Sequence, residues 1–270
     1  MQSRMLSKQV VSFLSLQLIM ESLPHDHIVP YKESDQSKKE QVAEMFNRIA
    51  SRYDFLNRFL SAGIDVSWRR KAIKKLRKTA PKFILDIATG TADMAIIACR
   101  LLNPVKIVGI DISGQMLELG EKKIEKEGVD SIIELQIGDS EAINFKDDSF
   151  DAVMAAFGVR NFENLEKGLS EMLRVLRPGG QLVILEFSKP RRKAVRSLYN
   201  LYMRIVAPKV AGWFRQNKEA YQYLCESSNA FPDRQVFVDI LKKTGYSETG
   251  FKSLSLGVCC IYSGRKPLPA

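Results

Sequence analysis

Short apolar runs alternate with longer amphipathic stretches through the middle of the chain. Near-continuous hydrophobic runs predict strands, and apolar residues spaced by three and four predict helices between them. Strands that are apolar on both faces and separated by helices indicate a parallel sheet covered by helices on both sides. The strands are predicted at 82–88, 105–112, 132–139, 150–158 and 181–188, and the helices at 92–102, at 113–128 with Ser113 as N-cap, and at 164–180, ended by Pro178, Gly179 and Gly180.

Different patterns flank this alternation. Before it, helical spacing runs from Glu40 to Gly63, and a basic amphipathic helix continues to Thr79. After it, aromatic-rich helical patterns occupy 194–230, a helix is predicted at 233–246, and two β-patterned runs end the chain. We therefore predict an α/β fold with a doubly wound sheet and a terminal antiparallel hairpin.

The pattern also predicts one folded domain behind an N-terminal extension. Residues 1–38 show no sustained period, and Val10–Met20 is similar to a signal peptide but lacks a small-x-small cleavage site. We interpret 1–38 as a poorly ordered extension, and no apolar run is long enough to predict a membrane-spanning helix. The predicted parts of the domain are a helical lid at 39–80, a cofactor-binding core at 81–190, a helical substrate cover at 191–232, and a terminal helix and hairpin at 233–266.

Positive charge is in excess, with 41 Lys and Arg against 31 Asp and Glu, and it concentrates at 68–78 and 189–193. Such clusters are typical of a solvated helix face, of nucleic-acid binding or of contact with an anionic membrane. Few aromatic residues are interleaved for base stacking, and Trp68 beside the first cluster favours a membrane interface.

Cysteine and histidine restrict the possible chemistry. The four cysteines show no CxxC spacing, which indicates a reduced, cytosolic protein without a zinc site. The only histidines, His25 and His27, lie in the predicted extension. A general base in the folded domain is therefore Asp, Glu, Tyr, Lys or Cys.

Acidic residues recur where the predicted strands end, at Asp86, Asp111 and Asp139. Ligands of open α/β sheets bind at these ends, and a carboxylate at the position of Asp111 can accept both ribose hydroxyls of an adenosine. The first turn, FILDIATGTAD, has the single glycine Gly90 and places Asp93 in the first helical turn, where it would repel a pyrophosphate. This favours the cationic S-adenosylmethionine over NAD. Each acid also has a plainer interpretation, as a helix-start carboxylate or a turn former.

Several segments together resemble one family, the ubiquinone/menaquinone biosynthesis C-methyltransferases. The most specific are FGVRN, LRPGG and LEFSKP, together with the helix that contains YDFLNRFLS. The resemblance implies a class I methyltransferase that uses S-adenosylmethionine to methylate a ring carbon of a prenylated quinol in menaquinone or ubiquinone biosynthesis. The similar segments are 42–71, 85–95, 157–161, 171–190 and 221–233.

The resemblance implies a set of cofactor-binding residues by position. Thr91 and Asp111 contact S-adenosylmethionine and Asp139 and Ser140 lie beside its adenine, while Gly90 and Ala156 complete the set. The family commonly has Ser where this chain has Ala156, so a hydroxyl contact is lost or replaced. It also usually has Gly where this chain has Thr89 and Ala92. A Cβ there disfavours positive φ and narrows the approach to the methionine.

The implied reaction needs a deprotonated ring hydroxyl, because the phenolate makes its ortho carbon nucleophilic. Asp93 is the candidate base, or the holder of a relay water, Arg160 the candidate stabiliser of the phenolate, and Tyr53 a hydrogen-bond donor from the lid. The alternatives are an ion pair between Arg160 and a strand-end acid, and core packing for Tyr53.

The helices at 42–78 and 194–230 are predicted to cover the site, and some of their apolar side chains to line a groove for the prenyl tail. A bilayer-resident acceptor gives the basic clusters a role in peripheral contact with an anionic membrane, so we expect a cytoplasmic, membrane-associated enzyme that binds no nucleic acid. An oligomer is compatible with the sequence. The groove candidates are Phe46, Phe55, Leu56, Phe59, Tyr199, Tyr202, Met203, Trp213 and Phe214.

Other functions stay open at this point. A class I methyltransferase can act on a different acceptor, such as a sterol, a phenolic oxygen or a small acid. The net charge suits an RNA methyltransferase, although the Asn/Asp-Pro-Pro-aromatic motif of base N-methylation is absent from the sequence. A binder that keeps the cofactor without catalysis is the remaining alternative.

Overall fold

The computed structural model describes residues 23–61, 63–191, 197 and 218–269 of the 270-residue chain. Within them the helices are α1 Lys38–Leu60, α2 Asp65–Ile73, α3 Asp93–Leu102, α4 Gly114–Lys126, α5 Leu165–Val175, α6 Lys218–Ala230 and α7 Gln235–Thr244. The strands are β1 Phe83–Ile87, β2 Lys106–Asp111, β3 Ile133–Ile137, β4 Phe150–Ala156, β5 Leu176–Phe187, β6 Ser247–Leu254 and β7 Cys259–Arg265. Short 3-10 turns are Pro24–His27, Lys74–Lys78, Val159–Asn161 and Ser255–Gly257.

All seven strands form one sheet in the order β3-β2-β1-β4-β5-β7-β6. The strands from β3 to β5 pair in parallel, and β7 inserts antiparallel between β5 and β6. The predicted doubly wound sheet with a terminal hairpin is confirmed. The chain winds in opposite directions from the neighbours β1 and β4, so their carboxyl ends open the crevice where ligands of such sheets bind.

Two apolar clusters cover the two faces of this sheet. On one face, α5 and α7 contribute side chains such as Leu169 and Phe237, which are fully buried. On the other, α2, α3 and α4 contribute Ile73, Met94 and Ile124. Helices on both sides explain why the central strands are apolar at successive positions and do not alternate with polar residues.

The sequence predicted that the Pro-Gly-Gly segment would end a helix, and this prediction is wrong. α5 ends at Val175, and Leu176 is already extended and pairs with Phe150 of β4. Pairing resumes with Ala152 opposite Gln181, so the intervening residues form an irregularity inside β5. Gly179 has φ +77°, a conformation that a glycine adopts without strain.

Part of the segment predicted as a poorly ordered extension packs onto the domain, with His25 and Pro30 buried. His25 is completely buried, and its ring lies edge-on to Phe231 at 5.9 Å. Lys38 Nζ donates to the His25 carbonyl oxygen at 2.7 Å. Burial lowers the pKa of His25 to about 3, with the charge of Lys38 acting in the same direction. Residues 1–22 lie outside the described part of the chain.

Trp68 does not lie at a membrane interface. It is 3% exposed, its ring packs near Phe157 and Phe187, and its Nε1 donates to Ser255 Oγ at 2.8 Å. The cations from Arg70 to Lys78 face outward, whereas this indole and the neighbouring Arg69 are buried. In the part of the chain that the structure describes, no helix is both long enough and apolar enough to cross a bilayer.

Candidate active site

Two cavities meet at the carboxyl ends of the central strands. The larger is lined by five predicted cofactor residues: Gly90, Asp111, Asp139, Ser140 and Ala156. The smaller is lined by the sixth, Thr91, and by Asp93. Both cavities share Tyr53, Ala88, Gly90 and Ala156 in their walls, so they adjoin at the first turn.

The first turn keeps a ligand-cradling conformation with only one glycine. Ala88, Gly90 and Ala92 all have positive φ, at +51°, +57° and +64°, so Ala92 adopts the left-handed conformation despite its Cβ. Thr89 Oγ1 donates to Asp86 Oδ2 at 2.7 Å. A Cβ at Gly109 would lie 2.8 Å from this hydroxyl, so Thr89 lies over the neighbouring strand. The Thr89 side chain therefore fills the space above Gly109.

Asp111 ends β2 and connects the first two strand ends. Its Oδ2 accepts from the Gly90 N–H at 2.8 Å, and its Oδ1 accepts from the Ser113 N–H at 2.9 Å. Burial raises its pKa, although these backbone donors act to lower it. Each carboxylate oxygen has a second lone pair, so Asp111 can orient the turn and accept two hydroxyl groups from a ligand.

Lys39 of α1 binds the acid at the end of β3. Its Nζ lies 2.6 Å from Asp139 Oδ2 and 3.7 Å from Glu141 Oε2, and Asp139 Oδ1 accepts from the Glu141 N–H at 2.9 Å. Ser140 lies in the same wall. The lid helix and the sheet are thus joined at one end of the larger cavity.

An ion-pair network closes the smaller cavity. Lys123 Nζ donates to Asp93 Oδ1 at 2.8 Å and to Thr91 Oγ1 at 2.9 Å, and it also pairs with Asp54 of the lid. The Thr91 hydroxyl donates to Asp54 Oδ1 at 2.6 Å. Thr91, for which the resemblance implies a cofactor contact, uses its hydroxyl here to connect α1 to the first turn.

The charge state of Asp93 follows from this network. Burial acts to raise its pKa, but the charges of Arg69, Lys123 and Arg58 outweigh burial and hold the pKa below its ordinary value. Asp93 is therefore ionised at neutral pH and is a weak base. This favours a role in orienting a water molecule over direct proton abstraction.

Arg160 forms a buried ion pair after β4. Its Nη1 donates to Glu186 Oε1 at 2.7 Å and to the Phe157 carbonyl oxygen at 2.6 Å. Its Nε is buried and has no hydrogen-bond partner among the described residues, and the same holds for the hydroxyl of Tyr223 on α6. The sequence analysis gave an ion pair between Arg160 and a strand-end acid as an alternative. It did not identify the acid as Glu186, which lies on β5 within LEFSKP.

Tyr53 stands where the two cavities meet, and its ring contacts Phe46 edge-to-face at 5.7 Å. Burial raises its pKa, so it is a neutral phenol at physiological pH and can donate a hydrogen bond. Phe46 lines the larger cavity, whereas Phe55 is 59% exposed. The remaining groove candidates lie outside the described residues or side chains.

Two functional candidates were given no individual role by the sequence analysis. Asp86 is 1% exposed, its Oδ1 has no hydrogen-bond partner in the structure, and burial raises its pKa to about 7. Arg69 had been assigned to the outward basic cluster, yet it is 4% exposed and lines the smaller cavity. The acid at the end of β1 was a usable signal for Asp86, but no signal separated Arg69 from its basic neighbours.

Comparisons with known proteins show what this chain is similar to. Residues 34–266 match the model of the ubiE/COQ5 methyltransferase family. A demethylmenaquinone methyltransferase of Bacteroides fragilis is 44% identical over 243 residues, which cover 90% of this chain and 99% of the relative. A ubiquinone/menaquinone biosynthesis C-methyltransferase UbiE of Geotalea daltonii is 46% identical over 230 residues, covering 85% of this chain and 97% of the relative.

Solved structures show the same fold at much lower identity. The cyclase SpnF has a TM-score of 0.58 at 17% identity, covering 86% of this chain and 97% of that one. An S-adenosylmethionine-dependent methyltransferase of Thermotoga maritima has a TM-score of 0.57 at 19% identity, covering 83% and 99%. A cyclase and a methyltransferase share this architecture, so the fold alone does not specify the reaction.

Proposed function

This chain belongs to the ubiE/COQ5 methyltransferase family, and on that premise we propose that it transfers a methyl group from S-adenosylmethionine to a ring carbon of a prenylated quinol. We propose demethylmenaquinol, the reduced form of demethylmenaquinone, as the acceptor, because two relatives that align along nearly their whole length are named demethylmenaquinone methyltransferases. The observation that carries the proposal is the pair of adjoining cavities at the strand ends, lined by the acids that an adenosine and an amino acid require.

The residues of the two cavities fit S-adenosylmethionine. Asp111 faces the larger cavity with lone pairs free for ribose hydroxyls, and Asp139 and Ser140 line the same wall for the adenine. The unpartnered Oδ1 of Asp86 suits the ammonium group of the methionine. When bound, the cofactor supplies an electrophilic methyl group on a sulfonium.

We assign the catalytic roles to three side chains. Asp93, ionised and held by Lys123, orients the water that accepts the proton of the ring hydroxyl. Arg160 stabilises the resulting phenolate through its Nε, the guanidinium nitrogen that is buried without a partner. Tyr53 donates a hydrogen bond where the cavities meet. S-adenosylmethionine, held by Asp111, Asp139 and Ser140, would supply the methyl group to the ring carbon, and the protons that the acceptor loses would leave to solvent through the water held by Asp93.

We further propose that the protein contacts an anionic membrane surface peripherally. Six exposed cations lie at 70–78, on α2 and the turn after it, and no acid interrupts them. Within the described residues none of the six has a hydrogen bond or ion pair from its side chain. Ile64, just before α2, is 44% exposed and supplies an apolar contact beside the charges. In the second basic cluster, Arg192 and Lys193 lie outside the described residues.

The direct test of the function is turnover of a defined acceptor. Purified protein receives methyl-deuterated S-adenosylmethionine and demethylmenaquinol, kept reduced with dithionite, and products are identified by mass spectrometry. We expect menaquinol with the label on the ring carbon. A prenylated benzoquinol and a simple catechol serve as competing acceptors. Label on an oxygen, or faster turnover of the catechol, would contradict the proposal.

A further inference from the structure

Arg69 is the least satisfied charged group around the two cavities. Its side chain is almost wholly buried, yet it makes no hydrogen bond within the described chain, and its Nε is among the buried atoms without a partner. Its one ion pair is loose, with Nε 3.8 Å from Asp65 Oδ2. Because burying a charge without hydrogen bonds is costly, an arginine in this state is typical of a site that an anion completes.

The guanidinium is held in place by packing. Its Cζ lies 5.1 Å from the centroid of the Phe157 ring, which stacks on Phe187 at 4.6 Å. A guanidinium over an aromatic face is attracted by the ring. Its N–H groups stay free for a ligand that lies in the plane of the guanidinium. The packing therefore orients Arg69 without satisfying its donors.

The unpaired charges of the smaller cavity match a zwitterion. The Asp93 carboxylate pairs with Lys123 and Arg58, and the charge of Arg69 acts on it as well, so it is already satisfied. Among the described residues, Arg69 Nε and Asp86 Oδ1 are left without a hydrogen-bond partner, and both side chains line the smaller cavity. One free donor group and one free acceptor are what an α-amino acid needs for its carboxylate and its ammonium.

We propose that Arg69 binds the carboxylate of the methionine moiety of S-adenosylmethionine, opposite Asp86. This inference rests on the proposed function for the identity of the methyl donor. It fits the order of the cavities, since Asp111 and Asp139 bind the adenosine in the larger one and the methionine extends into the smaller one past Gly90. An arginine here gives two parallel hydrogen bonds to a carboxylate, which a lysine cannot reproduce.

Binding of two ligands that differ only in the carboxylate tests this assignment. Calorimetric titration compares S-adenosylmethionine with decarboxylated S-adenosylmethionine, which keeps the ammonium and the sulfonium. We expect wild-type protein to bind the complete cofactor at least tenfold more tightly. Arg69→Met should raise the Kd for the complete cofactor by roughly 10- to 100-fold and leave the Kd for the decarboxylated ligand within about twofold. The Kd of Arg69→Lys for the complete cofactor should lie between the values of wild-type protein and Arg69→Met.

Arg70→Met is the matched control, because Arg70 is the exposed neighbour on the same helix, and it should change neither Kd. Equal weakening of both ligands by Arg69→Met would show a structural role and overturn the inference. Equal binding of both ligands by wild-type protein would overturn it without any variant, which covers the case that Arg69→Met does not fold. If wild-type protein bound neither ligand, the methyl donor and the proposed function would fail instead.

Discussion

Arg160 and Glu186 form a 2.7 Å ion pair in which the arginine is 3% exposed and the glutamate is fully buried. The pair joins the turn after β4 to the end of β5, and neither side chain is among those that line the two cavities. Burial acts to lower the pKa of Arg160, but the charge of Glu186 outweighs it and raises the pKa. The pair is therefore ionised, and removing one partner leaves the other charge buried.

Arg160→Met should destabilise the protein by about 3–5 kcal/mol, the usual cost of breaking a buried pair. The double variant Arg160→Met/Glu186→Met removes both charges and should recover most of that stability. If Arg160 stabilises a phenolate, the double variant still has a kcat lower by roughly 10²–10³, with cofactor affinity unchanged. Thermal unfolding and steady-state kinetics measure both effects. Wild-type turnover by the folded double variant would leave Arg160 with a structural role only.

Asp111→Ala should weaken S-adenosylmethionine binding by about 1.5–3 kcal/mol, because it removes charge-assisted contacts to the ribose and the acceptor that orients the Gly90 N–H. Calorimetric titration measures the change. Asp130→Ala, which removes an exposed acid shortly after α4, is the control and should bind normally. An unchanged dissociation constant in Asp111→Ala would remove Asp111 from the cofactor site.

Asp93→Asn should lower kcat by roughly 10²-fold or more, as the loss of a positioned proton-transfer group does. Because neighbouring cations hold the pKa of Asp93 below its ordinary value, its titration contributes no acidic limb to the pH–rate profile between about pH 5 and 8. The profile of the variant should therefore keep the wild-type shape in that range at a lower rate. A wild-type acidic limb near pH 6 that disappears in the variant would contradict this charge assignment.

Asp86 is expected to lower the unfolding free energy at neutral pH while it contributes to cofactor binding. Burial raises the pKa of Asp86 in the folded protein from its ordinary value of 3.8 to about 7, so its contribution to stability is complete below pH 4 and is lost as the pH rises through 7. The unfolding free energy of Asp86→Asn relative to wild type should therefore increase between pH 4 and pH 8, while cofactor binding weakens. Denaturant unfolding at both pH values measures it, and parallel pH dependence of the two proteins would contradict the prediction.

Neutralising the exposed cations should weaken membrane binding. Replacement of the four cations within 74–78 by Gln should reduce co-sedimentation with anionic vesicles roughly tenfold or more at low salt, and added salt should reduce wild-type binding in the same direction. The control replaces four exposed lysines elsewhere, namely Lys122, Lys126, Lys146 and Lys252, and should bind nearly as wild type. Equal binding of wild-type protein to neutral and anionic vesicles would contradict the proposal.

The alternation of apolar runs and amphipathic stretches was enough to predict the sheet and the edge where its ligands bind. Parallel strands joined by helices place all their carboxyl ends at one edge, so acids at successive strand ends meet without further information. That is why Gly90, Asp111, Asp139 and Ser140 could be named from the sequence and now line one cavity. Local chemistry was also enough to predict the N-cap of α4, because the Ser113 hydroxyl accepts from the Met116 N–H.

Contacts between distant segments decided what the sequence could not show. Glu186 meets Arg160 across 26 residues, and His25 is buried against Phe231, far along the chain. Arg69 and Arg70 are indistinguishable as letters in one basic run, yet one lines a cavity and the other faces solvent. Successive residues of a helix point about 100° apart, and the surface against which the helix packs selects which of them is buried.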